Sequence, residues 1–152
     1  MNLVIYFVLA YLIGSISPAY FFGKLKGKDL RKIGTKNLGA ANTYLSIGLI
    51  PAMIVVIFDI AKGFFSIMLG DYFGFSYIIL IIGGSLAILG HDFPFYLEFI
   101  GGKGTATTIG VIGALLFILR GKELIISIIA VLAVYLIAKV IIIKTQKRAF
   151  WG

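Results

Sequence analysis

The segment Gly101-Gly102-Lys103-Gly104-Thr105-Ala106-Thr107 sets three glycines, a lysine and two threonine hydroxyls in consecutive positions. Glycine-rich backbone exposes its N–H groups, and Lys103 adds a full positive charge beside them. Such a set holds an anion, phosphate above all, and the more so when a helix starts directly after it. The G-x-x-x-x-G-K-[ST] spacing of a nucleotide phosphate loop is absent. Upstream, in Gly90-His91-Asp92-Phe93-Pro94, lies the single histidine of the chain. His91 can orient a hydroxyl, accept its proton or bind phosphate. A second polar stretch, Gly34 to Asn42, adds the hydroxyl of Thr35, the amides of Asn37 and Asn42, and Gly39. Asn37 and Asn42 can donate to phosphate or form the turn themselves.

Some chemistry is excluded. With no cysteine there is no disulfide, thiolate metal site or thiol nucleophile, and a lone histidine argues against zinc. Neither a metal nor a cofactor is expected.

The elements that position these residues are hydrophobic. Apolar residues make up 61% of the 152-residue chain and charged ones only 13%, where a soluble domain carries about 25% charged residues. Mean hydropathy is +1.08. One integral membrane domain, 1–152, is expected, all-α and polytopic. A membrane helix needs about 20 mostly apolar residues. Five blocks meet or approach that: Leu3–Phe22, Ser46–Leu69, Phe73–Gly90, Thr105–Leu119 and Leu124–Ile143. About five transmembrane helices follow. The fourth is short, roughly 22 Å at ~1.5 Å per residue. The first lacks a basic leader and is read as a retained span.

The second block contains Asp59 and Lys62, whose i,i+3 spacing sets them on one helix face as a structural ion pair. Ser15, in Gly14-Ser15-Ile16-Ser17-Pro18, is expected to line the site from the inner end of the first block. Glu98 reads as a loop charge, and Gly110 and Gly113 as close-packing positions.

The basic residues set the direction. Lys24, Lys26, Lys28, Arg31, Lys32, Lys36, Lys103, Lys144, Lys147 and Arg148, ten of the 14, fall on one side of a five-span chain. Arg120 and Lys122 fall on the other. The positive-inside rule then puts the N-terminus outside and the C-terminus in the cytoplasm. Both polar loops face the cytoplasm, at the inner (plasma) membrane. The net charge of +8 is thereby read as topology, and nucleic acid is not expected as a partner.

Four motifs in order, Gly14–Pro18, Gly34–Gly48 (GTKNLGAANTYLSIG), Asp59–Gly63 (DIAKG) and Gly90–Thr107 (GHDFPFYLEFIGGKGTAT), resemble those of the bacterial acyl-phosphate:glycerol-3-phosphate acyltransferases. That resemblance implies transfer of an acyl chain from acyl phosphate to glycerol 3-phosphate, giving lysophosphatidate for phospholipid synthesis. It implies His91 and Thr35 as catalytic residues. Substrate phosphate would be held by Asn37, Gly39, Asn42, Gly101, Gly102, Lys103, Gly104 and Ser15. The implied partners are the two substrates, the bilayer and an enzyme that supplies acyl phosphate. The chain departs from the pattern at Lys36, Ala41 and Ile100. Leu45 stands at the arginine position, with Lys36 or Arg31 as candidate replacements. The tail from Lys144 to Gly152 lacks the family's final motif, so the chain reads as a shortened member. Two other readings stay open: a catalytically inactive relative that binds a phosphorylated lipid precursor, and a small transporter.

Overall fold

The computed structural model describes residues 1–118 and 122–151. The expected span end at Leu119 and the outer-face Arg120 lie outside these residues, as do the side chains of Lys122, Lys144, Lys147 and Arg148. The described chain is helical throughout, with α1 (Leu3–Ser15), α2 (Pro18–Leu25), α3 (Ala40–Ser46), α4 (Leu49–Tyr72), α5 (Tyr77–Asp92), α6 (Thr105–Ile118) and α7 (Lys122–Trp151). A short 3-10 turn, Phe95–Leu97, follows α5.

Three segments are long and apolar enough to cross a membrane: Leu3–Leu25, Leu49–Tyr72 and Tyr77–Leu97. Two shorter apolar helices, Thr105–Ile118 and Ile125–Ile141, join them. The chain is thus an all-α membrane protein built from the five expected blocks, with shifted boundaries. The first block is broken. Pro18 has no N–H to continue the ladder, so α1 stops at Ser15 and α2 starts afresh, its first turn capped by the Ser17 side chain. The fifth helix runs past the expected end at Ile143 to Trp151.

Small residues let the helices approach closely. A side chain at Gly14 would strike the Ala87 carbonyl, and one at Gly90 the Tyr11 carbonyl, which fixes α1 against α5. Gly63 and Gly110 do the same for α4 and α6, meeting Thr107 and Ile60 main chain. Gly113, expected to pack closely, faces open space. Tyr6, Ile67, Leu80, Ile88, Val111 and Leu115 fill the space between these helices. A second cluster, Ala19, Leu30, Leu38, Val55 and Leu97, lies at the loop end of the bundle and supports the polar connections above it. Large apolar side chains such as Val4, Ile57, Phe117 and Ile129 point outward, as lipid contact requires.

Candidate active site

The α2–α3 connection is organised around Asn42, which is wholly buried. Its amide nitrogen donates to the carbonyls of Leu30 (2.7 Å), Asn37 (2.8 Å) and Ile33 (3.2 Å). Its oxygen accepts from the Thr35 N–H at 2.9 Å. Asn37 is used similarly. Its oxygen accepts from the Gly39 N–H at 3.0 Å and its nitrogen donates to Thr35 Oγ1 at 2.8 Å. Both asparagines therefore build the loop, and their amides are not free for a ligand as the sequence suggested. Gly39 N-caps α3 and is committed in the same way. Thr35 differs. It is exposed, and because its oxygen accepts from Asn37 its own O–H remains free to donate.

The connection from α5 to α6 folds back on the end of α5. The Gly101 N–H donates to the Asp92 carbonyl and the Gly102 N–H to the His91 carbonyl, each at 3.0 Å. These two N–H groups are spent within the protein and cannot also cradle phosphate. The free donors begin at the next residue. Among the described residues neither Lys103 nor Gly104 donates a backbone hydrogen bond. Thr105, Ala106 and Thr107 form the first turn of α6, where N–H groups have no intrahelical acceptor. Consecutive donors over 103–107 thus converge at the positive end of α6, with the exposed Lys103 beside them.

Two hydrogen bonds join the two connections: the Leu38 N–H donates to the Gly101 carbonyl at 2.9 Å, and Arg31 Nη1 to the Leu97 carbonyl at 3.2 Å. They tie the loop that carries Thr35 and the exposed Lys36 to the segment that carries Lys103.

Beneath this surface is a buried polar cluster. Lys62 and Asp59 form the expected pair, at 2.8 Å. The ammonium also donates to the Ile16 carbonyl at 2.9 Å, an oxygen released by the break before Pro18. Its third contact is His91 Nδ1, at 2.7 Å. With a charged ammonium, three protons match three acceptors when Nδ1 accepts and the imidazole proton is on Nε2; Nδ1 also lies 3.4 Å from Asp59 Oδ1. Nε2 faces Gly102, where any side chain would overlap the ring. With its Nδ1 lone pair filled by Lys62, the buried His91 is placed as a hydrogen-bond donor and not as a proton acceptor.

Ser15 is buried, and its hydroxyl donates to the Tyr11 carbonyl at 2.8 Å. That hydroxyl is committed to its own helix, beside Gly90, while the Tyr96 hydroxyl donates to the Ser15 carbonyl at 2.8 Å. Arg31 is also unavailable as a substitute cation. It grips Asp29 through Nε and Nη2, both at 3.0 Å, and donates to the Leu97 carbonyl at 3.2 Å. That pairing holds the Asp29 carboxyl below its ordinary value. Leu45 is exposed on α3 and carries no charge to replace the arginine.

A family model for glycerol-3-phosphate acyltransferase matches residues 4–148. The chain belongs to that family. A glycerol-3-phosphate acyltransferase of Deinococcus radiodurans is 44% identical over 108 residues, covering 71% of this chain and 54% of the relative. One of Moorella thermoacetica is 43% identical over 109 residues, 71% of this chain and 56% of its own length. The Fusobacterium nucleatum relative is 40% identical over 131 residues, 86% and 66% of the respective chains. The chain spans about half the length of the first two relatives.

Among solved structures it resembles PlsY, an integral membrane glycerol 3-phosphate acyltransferase, in its glycerol 3-phosphate form. The TM-score is 0.73 at 28% identity, over 97% of this chain and 90% of that one. The lysophosphatidic acid form of PlsY gives a TM-score of 0.74 at 25% identity, over 97% and 92%. The structure shows two features that the sequence motifs did not single out. One is the link from Asp59–Lys62 to His91. The other is Asp92, buried beside the loop, with neither carboxyl oxygen hydrogen-bonded among the described residues.

Proposed function

We propose that the chain acts as a membrane acyltransferase that moves an acyl group from acyl phosphate to glycerol 3-phosphate, giving lysophosphatidate. The observation that carries this is the run of unpaired N–H donors over 103–107 at the start of α6, beside Lys103. Donors in that form fit the dianionic head of a phosphate monoester. Lys103 supplies a charge-assisted contact, and the Thr35 O–H and Lys36 approach from the facing loop.

With the phosphate fixed, the glycerol 1-hydroxyl attacks the acyl carbonyl carbon. The carbon–oxygen bond to the leaving phosphate breaks as the ester forms. A phosphate oxygen takes the hydroxyl proton, since His91 Nδ1 is already filled by Lys62. The Gly102 N–H on the His91 carbonyl keeps the loop seated, with the imidazole packed against Gly102. The acyl chain lies among the apolar helices. The basic loops support a cytoplasmic site, where an enzyme that supplies acyl phosphate would deliver it.

The test is lysophosphatidate formation by the purified protein in detergent, with Lys103→Ala alongside. Product from the wild type and at least tenfold less from the variant is expected, the size of about one charge-assisted contact. Equal product from both rejects the site. Glycerol 3-phosphate binding without product would favour the non-catalytic relative, a reading supported by the uncharged Leu45.

A further inference from the structure

Lys139 is the single charged residue between Glu123 and Lys144, within an otherwise uncharged run of α7. A cation in such a run is costly unless it meets a partner or a polar opening. Among the described residues no carboxylate pairs with Lys139, which is exposed. Its ammonium lies 5.7 Å from the ring centre of Tyr135, one turn back on the same helix, within cation–π range. Tyr135 in turn ties α7 to the site, its hydroxyl 3.0 Å from Thr105 Oγ1 at the first residue of α6. One of these hydroxyls donates to the other, and the accepting one keeps its own proton to donate. Thr105 and Tyr135 stand equally far from the short connection between their helices, so α6 and α7 run antiparallel. Lys139 is about 6 Å farther along α7, past the start of α6, on the side to which the free N–H groups of that helix end point.

The proposed reaction brings two phosphate groups together. Glycerol 3-phosphate is soluble and meets Lys103 and Lys36 on the loops. Acyl phosphate keeps its chain in the bilayer, so its head arrives along the lipid-facing side of a helix. Lys139 tops such a side. Ile129, Leu132 and Leu136 are exposed, and with Lys139 they follow an i, i+3, i+7, i+10 spacing that sets all four on one face. A phosphate bearing an apolar chain matches this stripe from end to end. We infer that Lys139 and Tyr135 form a subsite for the phosphate head of the acyl donor, with the chain laid along Leu136, Leu132 and Ile129. The inference rests on the proposed acyl transfer. It adds which residues hold the second substrate and from which side it enters.

The experiment measures KM for palmitoyl phosphate and for glycerol 3-phosphate, and binding of decyl phosphate, an unreactive lipid phosphate, by the purified full chain in detergent. The proteins are wild type, Lys139→Met, Lys139→Arg, Tyr135→Phe and Lys103→Ala, each with its thermal midpoint. Lys139→Met is expected to weaken palmitoyl phosphate and decyl phosphate about tenfold, the size of one charge-assisted contact, and Tyr135→Phe about threefold, the size of a neutral one. Glycerol 3-phosphate should be unaffected by either, Lys139→Arg should retain decyl phosphate binding, and Lys103→Ala should act on glycerol 3-phosphate. A structural role alone would not separate the two substrates.

Unchanged decyl phosphate binding in Lys139→Met overturns the inference, since the lysine would then only anchor α7 at the bilayer surface. Equal losses for both substrates also overturn it. If neither Lys139 variant folds, Lys139 is a fold determinant and the inference is wrong. If the wild type binds decyl phosphate through Lys139 yet forms no lysophosphatidate, the lipid-phosphate subsite is upheld and the proposed reaction fails.

Discussion

Lys62 Nζ lies 2.7 Å from His91 Nδ1, joining the middle of α4 to the last turn of α5. Asp59 and Ile16 take the other two ammonium protons, so the tautomer of the imidazole is fixed by its neighbour. His91 is the only histidine, and ¹⁵N-histidine labelling yields a single ring to observe. The wild type is expected to show the neutral Nε2–H pattern. Lys62→Met is expected to release Nδ1 and change that pattern. An unaltered spectrum in the variant would show that Lys62 does not set the tautomer.

The same variant bears on stability. Removing one partner of a buried ion pair leaves the other charge uncompensated, at about 3–5 kcal/mol. Lys62→Met should therefore lower the unfolding free energy in detergent by that order. The double variant Asp59→Leu/Lys62→Met should recover much of the loss, as measured by thermal or denaturant unfolding. Failure of the second substitution to recover anything would place the loss elsewhere than in the stranded Asp59 carboxylate.

Asn42 holds the α2–α3 connection from within, bonding Leu30, Asn37 and Thr35. Asn42→Leu strands three backbone groups, each costing about 1–3 kcal/mol when buried and unmet. The expected outcome is a lower thermal midpoint together with weaker glycerol 3-phosphate binding. Tighter loop packing with normal binding would show that the loop holds its shape by other means.

Gly102→Ala would push a methyl into the His91 ring. Overpacking of this kind costs about 1–3 kcal/mol, and here the strain falls on the phosphate loop. The KM for glycerol 3-phosphate is expected to rise more than the melting temperature falls. Gly74→Ala makes a useful contrast, because its turn is open although its φ is positive. It should lose a little stability and no substrate affinity.

Acid should loosen the α2–α3 connection selectively. Asp29 lies outside the spans, and Arg31 holds its carboxyl below the ordinary range, the side-chain hydrogen bond being the largest cause. A carboxyl depressed by folding contributes stability above its unfolded value of about 3.9. That contribution is lost as pH falls through the lower, folded value. Solvent exposure keeps the effect below about 1 kcal/mol. Hydrogen exchange at residues 29–33 should increase below about pH 4 in the wild type, while Asp29→Asn should exchange faster at neutral pH with little further change.

What could be read from the sequence was local. The i,i+3 spacing paired Asp59 with Lys62, and glycines before Thr105 announced the start of α6, whereas the first block reads straight through the break at Pro18. Relationships across the chain were out of reach. His91 and Lys62 are separated by 29 positions, and no periodicity announces that they meet. The Gly101 and Gly102 N–H groups looked like ligand donors because their acceptors, the carbonyls of Asp92 and His91, depend on how the chain reverses. Asn37 and Asn42 were compatible with a ligand or a turn, and only their partners decide between these. Asp92 went unnoticed between two recognisable motif residues.

The interruption at Pro18 reaches beyond the first crossing of the bilayer. By freeing the Ile16 oxygen it supplies the last acceptor for an ammonium buried where water does not enter. The residue that breaks the entry helix thereby also governs how an imidazole two helices away is seated. An unbroken helix through position 18 would leave a cation short of a partner in the one medium that offers no replacement.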